Sequence, residues 1–161
     1  MIPLSEAQAY VLQGCTPLGA APTDSSQALG LVTAEPIMCN EFVPPFNNTA
    51  VDGYAVMAAD TKAAPVDLQV IGAIAAGEAP STPLTPGTAI RIMTGAPLPD
   101  GADAIVMVED TTTSNDTMTV TIHRCVESGS AVRRAGEDMQ PGQLVFDSGT
   151  LLQPGHLGVL A

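Results

Sequence analysis

Apolar and polar residues alternate most regularly in TMTVTIHR, residues 117–124. Met118, Val120 and Ile122 share one face, and Thr117, Thr119 and Thr121 share the other. That period of two is the pattern of a half-buried strand. Ser114, Asn115 and Asp116 form a turn before it. Apolar runs at 31–38, 51–57, 68–75, 88–93 and 104–108 predict further strands, the first bent by Pro36. Pro141-Gly142 sets another turn, ahead of a short strand at 143–146. Helical spacing is confined to the two ends. Ser5 and Gln8 have the spacing of a capping box and open a helix to about Gln13, stopped by Gly14. Asp24 caps a single turn that ends by Gly30. Pro154 suits the first turn of a helix over 154–161. The pattern predicts a mixed α/β chain that is mostly β.

Composition narrows the picture. A length of 161 residues fits one ordinary domain or two small lobes. With no Trp, three Phe and two Tyr, the core must be built from Ala, Val, Ile, Leu and Met. Five basic residues against seventeen acidic ones give a net charge of −12. That charge opposes binding to DNA, RNA or anionic membrane, and favours solubility, cation binding or a basic partner surface. Cys15, Cys39 and Cys125 are scattered and odd in number, which argues against a zinc site or a disulfide framework and makes cytoplasm the default. The N-terminus lacks a basic signal-peptide region, and the longest apolar run, 70–77, is far too short to span a membrane. The chain stops inside an apolar stretch, LLQPGHLGVLA, so it is expected to be part of a longer protein.

Three polar clusters sit on turn-rich chain. In PPFNNTAVDGYAV, residues 44–56, the prolines force an extended approach, Asn47 and Asn48 favour a turn, and Asp52-Gly53 marks a second tight bend. Asp52 is either an Asx-turn residue bonded to its own backbone or a carboxylate displayed for chemistry. In RIMTGAPLPDGADAIVMVED, residues 91–110, a strand delivers Thr94 and Gly95 into a loop stiffened by Pro97 and Pro99. Thr94 offers a hydroxyl, and Gly95 lets its backbone N–H approach a ligand closely; the alternative is a long hairpin loop whose Pro and Gly only set its path. In RRAGEDMQPG, residues 133–142, Glu137 and Asp138 follow two arginines, as a solvated ion pair or as ligands for a divalent cation. His123 and His156 lack a paired nucleophile, and neither phosphate-loop glycine pattern is present.

These same segments resemble the molybdopterin molybdenumtransferase family, MoeA and the gephyrin E-domain. PPFNNTAVDGYAV resembles that family's PPF-x-N-S-A-M-D-G-Y-A signature, and RIMTGAPLPDGADAIVMVED its R-I-M-T-G-A segment. AGEDMQPGQLVFDSGTLLQPGHLGVLA is similar to its G-E-D segment and the L-x-P-x-x-I-G-x-L-A run after it, and ALGLVTAE at 28–35 to A-L-G-R-V-L-A-E. Leu31 stands where the family has Arg, Thr49 where it usually has Ser, and Val51 where it usually has Met. The Thr49 change keeps the hydroxyl.

The resemblance implies an N-terminal helix-and-strand lobe, 1–43 with 134–161, and an inserted β-rich, barrel-like lobe, 44–133. It also implies a pterin-binding α/β domain and a C-terminal β-barrel that this chain does not include. The implied activity is insertion of molybdenum from molybdate into adenylylated molybdopterin, with Mg²⁺-dependent release of AMP, by a cytoplasmic homodimer. The family's functional residues fall on Asp52, Thr94 and Asp138, with Thr94 and Gly95 near the ligand and Asp52 and Asp138 as Mg²⁺ ligands. The fragment by itself is expected to be inactive. The rival reading is a non-catalytic scaffold or protein-interaction module of the same fold.

Overall fold

The alternating segments pair into sheets, as their patterning requires. The computed structural model describes residues 2–16, 18–114 and 118–161. In chain order its elements are α1 (Leu4–Gln13), β1 (Ile37–Met38), β2 (Asn48–Thr49), β3 (Gly53–Val56), β4 (Val66–Ile74), β5 (Thr88–Ile92), β6 (Ala104–Met107), β7 (Thr111–Thr113), β8 (Thr119–Ile122), β9 (Val132–Arg133), β10 (Leu144–Phe146) and α2 (Pro154–Leu160). Short 3-10 turns occupy Ser25–Gln27, Ala58–Ala63 and Val108–Asp110. The architecture is mixed and mostly β.

The chain divides into two compact units, Met1–Met38 with Leu144–Ala161, and Cys39–Gln143. The division drawn from sequence had its cuts at 43/44 and 133/134. Segments 39–43 and 134–143 here group with the larger unit, where Val43 N–H donates to the Met139 carbonyl at 2.9 Å and Gly142 N–H to the Cys39 carbonyl at 2.8 Å.

In the smaller unit, α1 starts two residues earlier than its spacing implies. Pro3 is the N-cap, with no side-chain cap, so Ser5 lies inside the first turn and the predicted capping box does not form. Asp24 does cap its turn, accepting from the N–H of Ser26 at 2.9 Å and from its hydroxyl at 2.6 Å. The strand expected over 31–38 shrinks to β1, paired antiparallel with β10, plus a single bridge from Val32 to Leu151. Pro36 has no N–H to give to a ladder. Helix α2 begins with Pro154, as predicted, and His156 Nδ1 accepts from the Gln153 N–H at 3.1 Å. His156 is therefore a helix-capping residue.

The larger unit is organised by a six-stranded sheet in the order β6-β3-β5-β4-β8-β7, curled into a half-barrel. All its pairs are antiparallel except β4–β5. Alternation places Tyr54 and Val56 in one apolar cluster with Leu68, Val106, Val120 and Ile122, and Ala55 in a second with Ile90, Ile92 and Ile105. Both faces of the central strands are thus covered, which is why β3 is buried at every position. A bulge between Val70 and Gly72 resets the alternation of β4, so Leu68 packs in the first cluster and Ile74 in the second. Each fully buried Ile or Leu contributes about 1.5–3 kcal/mol. The expected turn at 114–116 lies partly outside the described residues, as does Thr117. Among the described residues no helix is long and apolar enough to cross a membrane.

Candidate functional site

The segment 47–53 is shorter in turns and richer in pairing than its composition implies. Asn47 and Asn48 do not make a turn. Asn48 and Thr49 form β2, which pairs antiparallel with β9, Asn48 opposite Arg133 and Thr49 opposite Val132. On its other side Asn48 bridges to Pro97. Chain between residues 94 and 97 and chain at 132–133 are thereby held on either flank of two residues. Gly53 is also not a bend residue. It starts β3, and a Cβ there would lie 2.1 Å from the Val106 carbonyl oxygen, so the close approach of β6 demands glycine.

The segment carrying Thr94 is not a hairpin loop. Strands β5 and β6 both pair antiparallel with β3, on opposite sides of it, so the chain from 93 to 103 crosses from one flank of β3 to the other. This crossing brings Thr94 to Asp52. Oδ1 of Asp52 accepts from the backbone N–H of Thr94 at 2.7 Å and from its hydroxyl at 2.7 Å. The Asx-turn alternative is thereby displaced: the carboxylate bonds chain 42 residues away. Gly95, at φ +81°, lets the chain turn there, but its N–H is already donated to the Thr49 carbonyl at 2.9 Å.

Asp52 is exposed, and its pKa is held below the ordinary carboxylate value. The backbone bond from Thr94 is the largest cause, then the Thr94 hydroxyl; slight desolvation opposes both, and the Arg91 charge adds to them. Arg91 is fixed by donating Nη1 to the Gly53 carbonyl at 2.8 Å, with its guanidinium 5.2 Å from the centre of the Tyr54 ring. Both Thr94 bonds to Asp52 fall on the same oxygen, Oδ1.

Asp138 has a different setting. Oδ2 pairs with Nη2 of Arg133, and both side chains are about half exposed, at 52% and 40%. Glu137 accepts from the Arg134 backbone N–H at 2.8 Å. Asp52 and Thr94 are thus in direct contact, whereas Asp138 is connected to them through Arg133, β9 and β2. Among the described residues no three or more His, Cys, Asp or Glu side chains converge as a metal centre. A Mg²⁺ ion commonly takes one or two protein carboxylates and completes its shell with water and phosphate, and the single-sided engagement of Asp52 fits that donor chemistry. His123 does not join this group; its Nε2 is hydrogen-bonded to the Thr112 hydroxyl at 2.7 Å. Two hollows of about 380 and 440 Å³ lie elsewhere in the unit, and none of Asp52, Thr94 and Asp138 lines either.

Sequence reasoning did not single out Arg91, and read Asn48 only as a turn residue; Arg133 forms the solvated ion pair with Asp138 that was one of the two readings of its segment. Arg91 stood in the quoted RIMTGA stretch, but its role depends on a fold contact with Gly53. Asn48 carries a buried Oδ1 with no hydrogen-bond partner among the described residues, which no local rule reveals.

The chain matches the family model for the MoeA N-terminal region (domain I and II) over residues 2–161. It is 42% identical over 157 residues to molybdopterin molybdenumtransferase 2 of Mycobacterium tuberculosis, covering 95% of this chain and 38% of the relative. It is 40% identical over 134 residues to the molybdopterin molybdenumtransferase of Bacillus subtilis, covering 80% of this chain and 31% of the relative. The chain therefore spans less than two-fifths of the length of these two relatives. Among solved structures, the molybdopterin biosynthesis MoeA protein of Pyrococcus horikoshii OT3 superposes with a TM-score of 0.87 at 33% identity, over 99% of this chain and 43% of that one.

Proposed function

Because the chain belongs to the MoeA family, in which it corresponds to the N-terminal region, we propose that it supplies one wall of the site of a molybdopterin molybdenumtransferase. In that reading Asp52, Thr94 and Asp138 face adenylylated molybdopterin and molybdate while molybdenum is inserted into the dithiolene and AMP is released. The observation that carries the reading is the Asp52–Thr94 contact, which joins two distant motif segments at one exposed point.

A bare carboxylate repels phosphate and molybdate, so Asp52 needs a positive intermediary. Mg²⁺ held by Asp52, with water and substrate phosphate completing its shell, would supply neutralisation of the charge that develops on the departing phosphate. Thr94 holds Oδ1 through two donors and so fixes which oxygen is presented. The same two donors favour the ionised form of Asp52, holding its pKa below the ordinary carboxylate value. Asp138, already paired with Arg133, would orient water rather than carry the main charge. The strongly acidic composition offers few phosphate-binding cations, which supports a reading in which other parts of the enzyme supply them. The reading entails a cytoplasmic homodimer and no turnover by this chain alone.

The test is a chimaera in which residues 2–161 replace the matching region of the Mycobacterium tuberculosis relative. AMP release is measured with Mg²⁺ and molybdate, against the isolated chain. Activity in the chimaera, none in the isolated chain, and a sharp loss with Asp52→Asn or Asp138→Asn at unchanged circular dichroism support the reading. Unchanged rates in both variants would sink the residue assignment. A folded, inactive chimaera would move the chain to a protein-interaction role.

A further inference from the structure

We propose that Thr49 is the positioning residue of the Asp52–Thr94 pair, one buried side chain and its own peptide groups holding both chain segments on which the pair stands. The inference rests on the functional reading of that pair.

Thr49 is 1% exposed and is hydrogen-bonded to both segments. Its hydroxyl donates to the Val51 carbonyl at 2.6 Å and accepts from the Val51 N–H at 3.2 Å. Both polar groups of Val51 are thereby fixed, and Val51 is the residue that leads into Asp52. The backbone of Thr49 fixes the other segment. Its N–H donates to the Ala96 carbonyl at 3.1 Å, and its carbonyl accepts from the Gly95 N–H at 2.9 Å. These two bonds bracket the turn that carries Thr94, itself closed by Ala96 N–H to the Met93 carbonyl at 2.9 Å.

The need for such a hub follows from the geometry it supports. Asp52 Oδ1 must meet an N–H and an O–H of the same residue, each at 2.7 Å. Hydrogen bonds weaken steeply with distance and angle, so a shift of about half an ångström between the segments forfeits one of the two. Asp52 and Thr94 are both exposed and cannot hold each other in place by packing. Thr49, enclosed and bonded at its N–H, its carbonyl and its hydroxyl, can.

The substitution that isolates the hydroxyl is Thr49→Val, which keeps shape and burial but leaves the Val51 N–H without its partner. The readout is the Thr94 amide in NMR spectra of this chain, with no substrate. In Thr49→Val, that amide is expected to move upfield and to exchange about tenfold faster, as loss of one charge-assisted hydrogen bond implies. The amides of Tyr54 and Ile90 in the β3–β5 ladder should keep their rates. Thr49→Ser, which restores the hydroxyl, should restore the Thr94 amide, and in the chimaera should restore turnover. An unchanged Thr94 amide in Thr49→Val, or equal acceleration of the Tyr54 and Ile90 amides, would overturn the proposal. If Thr49→Val does not fold, Thr49→Ser decides alone, because loss of the Thr94 signature with the hydroxyl retained would show that the methyl matters and not the bond. The NMR arm needs no enzyme, so it can fail while the functional reading stands. Full activity of both the Asp52→Asn and the Asp138→Asn chimaeras would remove that reading whatever the NMR shows.

Discussion

Asp52 and Asp138 are both exposed aspartates on turns, yet the molecule treats them differently. Asp52 is held by neutral donors from Thr94, an N–H and an O–H, 42 residues away. Asp138 is held by a guanidinium five residues away. Neutral donors fix a carboxylate and keep its full negative charge available; a guanidinium fixes it and cancels much of that charge. The first arrangement is costly to build, because it needs two segments crossed over β3. The second assembles from one turn. On the proposed reading, Asp52 rather than Asp138 would carry the main contact to a cation.

The largest test of that difference is turnover of the chimaera. Asp52→Asn keeps the shape and removes the charge, and should lower AMP release by about a hundredfold, in the range seen when preorganised electrostatic groups are lost. Asp138→Asn should cost about tenfold, because Arg133 already offsets that charge. Equal losses would break the comparison. Thr94→Val comes next. It removes the hydroxyl and leaves the larger backbone bond, so turnover should fall by about tenfold with most of the carboxylate geometry kept.

The comparison also explains how much was legible beforehand. The long alternating strands were readable because burial on one or both faces leaves its mark on every second residue; β8, β3 and β5 all lie within predicted segments. Two-residue strands leave no such mark. β2 and β9 are defined by each other, more than eighty residues apart, and by nothing in their own composition. β7, three threonines, was missed for the same reason, since a run of one residue has no alternation. At the site, Asp52, Thr94 and Asp138 were visible as polar residues on turns. That Asp52 reaches Thr94 and not its own backbone was not, because local rules weigh the nearest partner and tertiary structure supplied a better one. Gly53 misled for a related reason: Asp-Gly reads as a turn, and the close Val106 carbonyl that requires glycine belongs to another strand.

A pH titration sharpens the comparison more gently. The Asp52 pKa is lowered in the folded chain, so its contribution to stability is fully present above the ordinary carboxylate value of 3.8 and is lost as pH falls through the lower folded value. NMR titration of the Asp52 carboxyl in this chain should therefore show a midpoint below 3.8. In Thr94→Val the midpoint should rise part of the way back, since the backbone bond remains the leading cause. A midpoint at or above the ordinary value in the unsubstituted chain would mean that the two Thr94 bonds do not form in solution.

The smallest effect belongs to the Arg133–Asp138 pair. Both side chains are well exposed, so water screens their attraction, and Arg133→Met should change unfolding free energy by about 0–1 kcal/mol in urea melts. The pairing of β9 with β2 is made by backbone groups and should survive. If the loss were several times larger, Arg133 would be holding β2 through its side chain, and Asp138 would count as part of the same long-range construction as Asp52. A small loss keeps the two aspartates apart in kind: one presented by the fold, the other by its own turn.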